Sequence, residues 1–127
     1  MASPQIVLDT NVLLYAAKNK VDIVGLIKEK LGIYAIIVPT NVIEELKRIK
    51  ATQKRTLREQ ASIALDIIHL KRLQKLELAG PVDESITEWA AKYKGAILTN
   101  DVELKFKLRD AGIKVYNIRQ GKYIVEW

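Results

Sequence analysis

Short apolar runs alternating with longer stretches of helical periodicity constrain this chain more than any other feature. The runs are IVL at 6–8, YAIIV at 34–38, AIL at 96–98 and IKVYNI at 113–118. Between them, apolar positions recur at helical spacing over about 11–17, 21–31, 41–50, 55–74, 84–93 and 102–110. Strands separated by helices need crossover connections, so the pattern predicts an α/β fold with a mostly parallel sheet buried on both faces. The last segment, IKVYNI-RQG-KYIVEW, reads as two strands joined by a glycine-containing turn, an antiparallel edge to that sheet. Side chains that do chemistry are then expected at the carboxyl ends of the strands. With 127 residues and 49% apolar content, the chain fits one domain over 1–127 and is too short for two independent cores.

Lys and Arg total 21 against 15 Asp and Glu, a formal charge of +6, which favours an anionic partner. Cysteine is absent, so disulfides, thiolate metal sites and cysteine nucleophiles are excluded together, and any metal must be held by oxygen or by His69. No run approaches the length that spans a bilayer, and the first residues lack a signal-peptide pattern. The expectation is therefore a cytoplasmic protein with no membrane association. The densest charge lies in ELKRIKATQKRTLREQ at 45–60. It reads either as a solvated helix face or as a phosphate-contacting rim built on Lys54, Arg55 and Arg58.

The informative carboxylates are those that fall where the apolar pattern assigns an interior position, because burying an isolated charge is expensive. Asp9 directly follows the strand IVL. In the helix after Pro39, Glu45 shares a stripe with Val42, Leu46 and Ile49, whereas Glu44 completes an Asn41-x-x-Glu44 capping box. Asp83 heads a stripe with Ile86, Ala90 and Tyr93, and Asp101 heads one with Leu104 and Leu108. Each acid alone also fits a capping or ion-pairing role. Together, at strand ends or first helical turns, they converge on one edge of a parallel sheet. Four carboxylates in one cleft repel each other, and hard divalent cations such as Mg²⁺ or Mn²⁺ relieve the repulsion. Such a site suits phosphodiester hydrolysis without a side-chain nucleophile.

LDTNVLL at 8–14, VPTNVIEELKRI at 38–49, VDESI at 82–86 and AILTNDVELKFKLRDAGIKV at 96–115 resemble, in order and approximate spacing, the PIN-domain family of ribonucleases. The resemblance covers essentially the whole chain. It implies a three-layer α/β/α fold, with the family's acidic quartet on Asp9, Glu45, Asp83 and Asp101, although Glu84 competes with Asp83. It also implies that Thr10, Asn11 and Thr99 are small polar groups that support the acids. Within the family, the segment from 99 to the end looks like archaeal proteins of small-subunit ribosomal RNA processing. The length equally suits a VapC-like toxin with an antitoxin partner. The implied partners are RNA, a second copy in a homodimer, and an antitoxin or ribosome-assembly protein.

Two rivals come from other classes. A non-catalytic RNA-binding scaffold would not need all four acids. A phosphoryl-transfer domain of the receiver or haloacid-dehalogenase type is phosphorylated on an Asp at the end of a first strand, and the dehalogenase pattern wants a second Asp two residues after it, where this chain has Asn11. His69 lies between Ile68 and Leu70 in a long helical pattern, far in sequence from every acid, and reads as structural. Trp89 reads as core, and Tyr116, Tyr123 and Trp127 read as packing residues before base-stacking ones.

Overall fold

A computed structural model describes residues 3–52 and 54–127. Its elements run β1 (Gln5–Leu8), α1 (Thr10–Asn19), α2 (Ile23–Lys30), β2 (Ala35–Pro39), α3 (Thr40–Lys50) and α4 (Arg55–Leu70). They continue with β3 (Gln74–Leu76), α5 (Val82–Tyr93), β4 (Ala96–Leu98), α6 (Val102–Asp110), β5 (Val115–Arg119) and β6 (Tyr123–Glu126). The strands form one sheet in the order β3-β2-β1-β4-β5-β6. Every pairing is parallel except β5 with β6.

β1 occupies the middle, with Ile6 beside Ile36 of β2 on one side and Ala96 of β4 on the other. Residues 6–8 and 96–98 are buried without alternation, as befits strands covered on both faces. From β1 the chain moves to β2 and β3 on one side, then returns past β1 to β4 and β5. Right-handed crossovers therefore put α1–α4 on one face and α5–α6 on the other. The contacts agree: α4 packs on α3 and α1, while α5 touches α6 and β4. This is the expected three-layer arrangement.

The β5–β6 hairpin turns through Gln120 and Gly121, both at positive φ (55° and 69°), with Lys122 N–H donating to Arg119 O at 3.2 Å. Positive φ at both central residues is the primed turn that matches strand twist.

Three local expectations are corrected. The helical pattern over 55–74 ends at Leu70, and residues 74–76 add a parallel edge strand to β2. Asn41 does not cap α3, whose cap position is Pro39; its side chain turns inward to other elements. On α5 the buried positions are Ser85, Ile86, Trp89 and Ala90, while Tyr93 is 60% exposed, so Trp89 takes the interior place assigned to Tyr93. Gly95 makes room for it: a Cβ there would fall on the Trp89 ring. Among the described residues, no helix is long and apolar enough to cross a membrane.

Candidate active site

The reversal of strand order lies between β1 and β4, where a crevice opens at the carboxyl ends of an open parallel sheet. Asp9 leaves β1 there and caps α1. Its Oδ1 accepts the Val12 N–H at 2.9 Å, and its Oδ2 accepts the Thr99 hydroxyl at 2.5 Å. Thr99, fully buried at the end of β4, also accepts the Asp101 N–H at 3.1 Å through Oγ1. One hydroxyl thus links the acid of β1 to the backbone that carries the acid after β4. Asp101 caps α6 by accepting the Leu104 N–H at 3.1 Å. The neighbouring Asn100 Oδ1 accepts the Ile118 N–H at 2.9 Å, which ties this loop to β5.

The other two acids arrive on helices. Glu45 is half-buried on α3, below the fully buried Val42 and Leu46. Asp83 stands in the first turn of α5 and is exposed, not turned into the core as the stripe reading has it. Asp9, Glu45, Asp83 and Asp101 nevertheless line one small cleft of about 80 Å³, with Thr10, Asn11 and Val82. Glu45, Asp83 and Asp101 also line a broader cleft of about 580 Å³ that adds Arg48, Glu84 and Lys107. Asp83 belongs to both clefts and Glu84 only to the broader one. Thr10 is buried with its hydroxyl unpartnered among the described residues, and Asn11 is exposed at the cleft.

The electrostatics match this crowding. Burial, reinforced by Asp83 and Asp101, pushes Asp9 up to about 7, against the opposing hydrogen bonds from Thr99 and Val12. Asp83 is also raised, by desolvation and then by Asp101, with Lys107 acting in the opposite sense. None of the four acids forms a salt bridge among the described residues.

Two residues that position the acids are not apparent from stripe patterns. The Asn41 side chain donates to Gly80 O at 3.1 Å and to Ser85 Oγ at 2.7 Å. The Thr40 hydroxyl donates to Leu78 O and accepts from Leu78 N–H, each at 3.2 Å. These bonds lock the start of α3 to the segment entering α5, and so fix Glu45 relative to Asp83. The available signal is a repeated Thr-Asn pair, at 10–11, 40–41 and 99–100, each just after an apolar strand. Arg48 and Lys107 are the cations that line the broad cleft with the acids. Lys54, Arg55 and Arg58 lie at the start of α4, all exposed, and Arg55 Nε donates to Glu59 at 2.9 Å. His69 is exposed near the end of α4 and lines neither acidic cleft.

No three Asp, Glu or His side chains among the described residues form a ready-made coordination cage.

Comparison with known proteins agrees with the fold. Ribonuclease VapC9 of Archaeoglobus fulgidus is 33% identical over 118 residues, covering 93% of this chain and 85% of the relative. Ribonuclease VapC4 of Methanocaldococcus jannaschii is 32% identical over 122 residues, covering 94% and 93%. Among solved structures, the PIN domain endonuclease Utp24 superimposes with a TM-score of 0.79 over 96% of this chain and 90% of that one; at 22% identity this likeness speaks for the fold alone. The PIN-like domain pattern matches residues 6–121, from the central strand through the terminal hairpin turn, and the chain belongs to that family.

Proposed function

We propose that this chain is a cytoplasmic, divalent-metal-dependent endoribonuclease that hydrolyses RNA phosphodiester bonds with Asp9, Glu45, Asp83 and Asp101. One observation carries the reading: four carboxylates from four separate elements line one cleft at the strand-order reversal, with no salt bridge to neutralise them among the described residues. The oxygen donors suit Mg²⁺ or Mn²⁺, which when bound supplies charge neutralisation for the attacking and leaving oxygens. The chain's own groups do the rest. Thr99 holds Asp9 in place and favours its ionised form. Thr10, with a free buried hydroxyl, and Asn11, at the cleft, are placed to support the acids and the substrate. Arg48 and Lys107 face the approach of a phosphate.

For biological role, both relatives above 30% identity are named VapC ribonucleases, which favours a toxin-type RNase held by a protein antitoxin. The alternative of ribosomal RNA processing is supported only by a likeness of fold. A homodimer is the arrangement proposed for the free protein. The test of the central reading is incubation with labelled single-stranded and structured RNAs in Mg²⁺, Mn²⁺ or EDTA. Internal cleavage that EDTA abolishes supports it; a folded protein inert in both metals overturns it.

Glu45→Gln is expected to lower cleavage at least about tenfold, because ligands of a metal site and their supports commonly contribute 10–100-fold. Glu44→Gln is expected to leave cleavage within about twofold, since among the described residues its exposed carboxylate reaches only Lys47, at 3.9 Å, in a surface pair of small energy. Paired kinetics and melting curves decide between them, and a reversed order of effects would mean that α3 presents the wrong face.

Replacing Lys54, Arg55 and Arg58 together with Ala is expected to flatten the salt dependence of RNA affinity without changing Mn²⁺ binding. Each lost phosphate contact lowers the slope against log salt by about 0.7 for a single strand. Because Arg55 already engages Glu59, the expected drop is nearer two contacts than three. Superimposable slopes would make this segment a solvated helix face.

A further inference from the structure

Across the sheet from α1–α4, α6 and β6 present a surface that the acidic cleft does not account for. Val102 is 58% exposed and Phe106 53% exposed, large values for apolar side chains one helical turn apart. Phe106 meets Trp127 edge-to-face with centroids 4.7 Å apart. Lys105 Nζ lies 5.1 Å from the Trp127 ring and the Arg109 guanidinium 5.2 Å from it. Tyr123 and Val125, four and two residues before Trp127, share its side of the strand by alternation and are also exposed. Among the described residues, Lys105, Lys107 and Arg109 form no salt bridge, although Glu103 and Asp110 lie on the same helix.

Resting on the ribonuclease reading above, we infer that this face is a track for single-stranded RNA, on which Phe106 stacks an unpaired base and Lys105 and Arg109 hold the flanking phosphates. Positions 102, 106 and 109 fall on one face of α6, which begins one residue after Asp101. The track therefore starts at the acidic cleft, and Lys107, which lines the broad cleft with Asp83 and Asp101, joins the two. Exposed rings interleaved with unpaired cations are what a sequence-tolerant single-strand surface requires: flat faces for bases and positive charge for the backbone. A second copy of the chain is a poorer occupant, because a twofold contact here would gather the Lys105, Lys107 and Arg109 charges of both copies, free of salt bridges among the described residues, into one interface, where like charges repel.

The test is RNA affinity of the full chain in EDTA, where no cleavage confuses binding, with a short fluorescent single strand and a duplex of the same sequence. Phe106→Ala is expected to weaken single-strand binding at least about fivefold, the lower end of one lost base stack, and to leave duplex binding within about twofold. Phe106→Trp should retain wild-type affinity. Lys105→Ala combined with Arg109→Ala should lower the salt slope by about 1.4, two contacts' worth. Phe106 is half-exposed, so these variants are expected to fold, and melting curves check this. If wild type binds single strands and Phe106→Ala binds them equally well, the track is wrong while the ribonuclease reading stands. If Phe106→Ala instead converts a dimer to a monomer in light scattering, the face is a protein contact and the track is overturned. Wild type that neither binds nor cleaves RNA would sink the ribonuclease reading itself, and the track with it.

Discussion

Asp9→Asn is expected to cut RNA cleavage by at least about a hundredfold while raising the stability of the metal-free protein at neutral pH. Loss of activity follows because groups that merely support metal ligands already contribute 10–100-fold, and Asp9 is the most buried acid of the cleft. The gain in stability follows from proton linkage. Burial pushes Asp9 up to about 7, so between the ordinary carboxylate range and pH 7 the folded protein holds a proton that the unfolded chain has released. The folded state is therefore favoured as pH falls through that window and loses stability as pH rises through it. Asn carries no charge and can still accept the Val12 N–H, so this variant should lose that slope. A gain of roughly 5–10 °C in melting temperature at pH 7.5 in EDTA corresponds to about 2 kcal/mol for a domain of this size. Melting curves from pH 4.5 to 8, alongside Mn²⁺-dependent kinetics, read both effects. A folded variant that still cleaves at the wild-type rate would remove Asp9 from the chemistry.

Thr99→Val should lower activity by about 10–100-fold and stability by about 1–3 kcal/mol, although valine has the same shape. The hydroxyl is fully buried and does two jobs: it donates to Asp9 Oδ2 and accepts from the Asp101 N–H. Without it Asp9 loses the hydrogen bond that lowers its pKa, so the rise of activity with pH should shift upward. Thr99→Ser should restore both the rate and the profile. If Thr99→Val only reduces the folded fraction and leaves the pH profile in place, Thr99 supports the fold and not the acid.

The central architecture was legible because β1, β2 and β4 are buried on both faces and write themselves as uninterrupted apolar runs. β3 was not, because residues 74–76 lie at the sheet edge, largely exposed, with no alternation to separate them from the helical pattern before them. They become a strand because the open side of β2 offers them backbone partners. At the candidate site, spacing placed all four acids near one edge. It could not foresee that Asp83 would stand in solvent at the cleft while Asp9 is enclosed, since that depends on how α5 docks. The role of Asn41 was hidden for a related reason. Its partners, Gly80 and Ser85, are about forty residues away, and only the packed structure brings them within reach.

The central position of β1 also bears on the order in which the molecule can be assembled. Its first neighbour, β2, arrives early in the chain, but its second, β4, places Ala96 beside Ile6 only after most of the sequence has been made. Such distant pairing must bear the entropy of closing a long loop before it is rewarded, which slows folding. Emerging from the ribosome, the first seventy residues carry Asp9 and Glu45 but expose the bare side of β1 and have neither Thr99 nor Asp101. Completion of the sheet and completion of the cleft are thereby coupled: a chain interrupted anywhere before β4 lacks Asp101 and the Thr99 hydroxyl that holds Asp9, so the four acids come together only once the last parallel strands are in place.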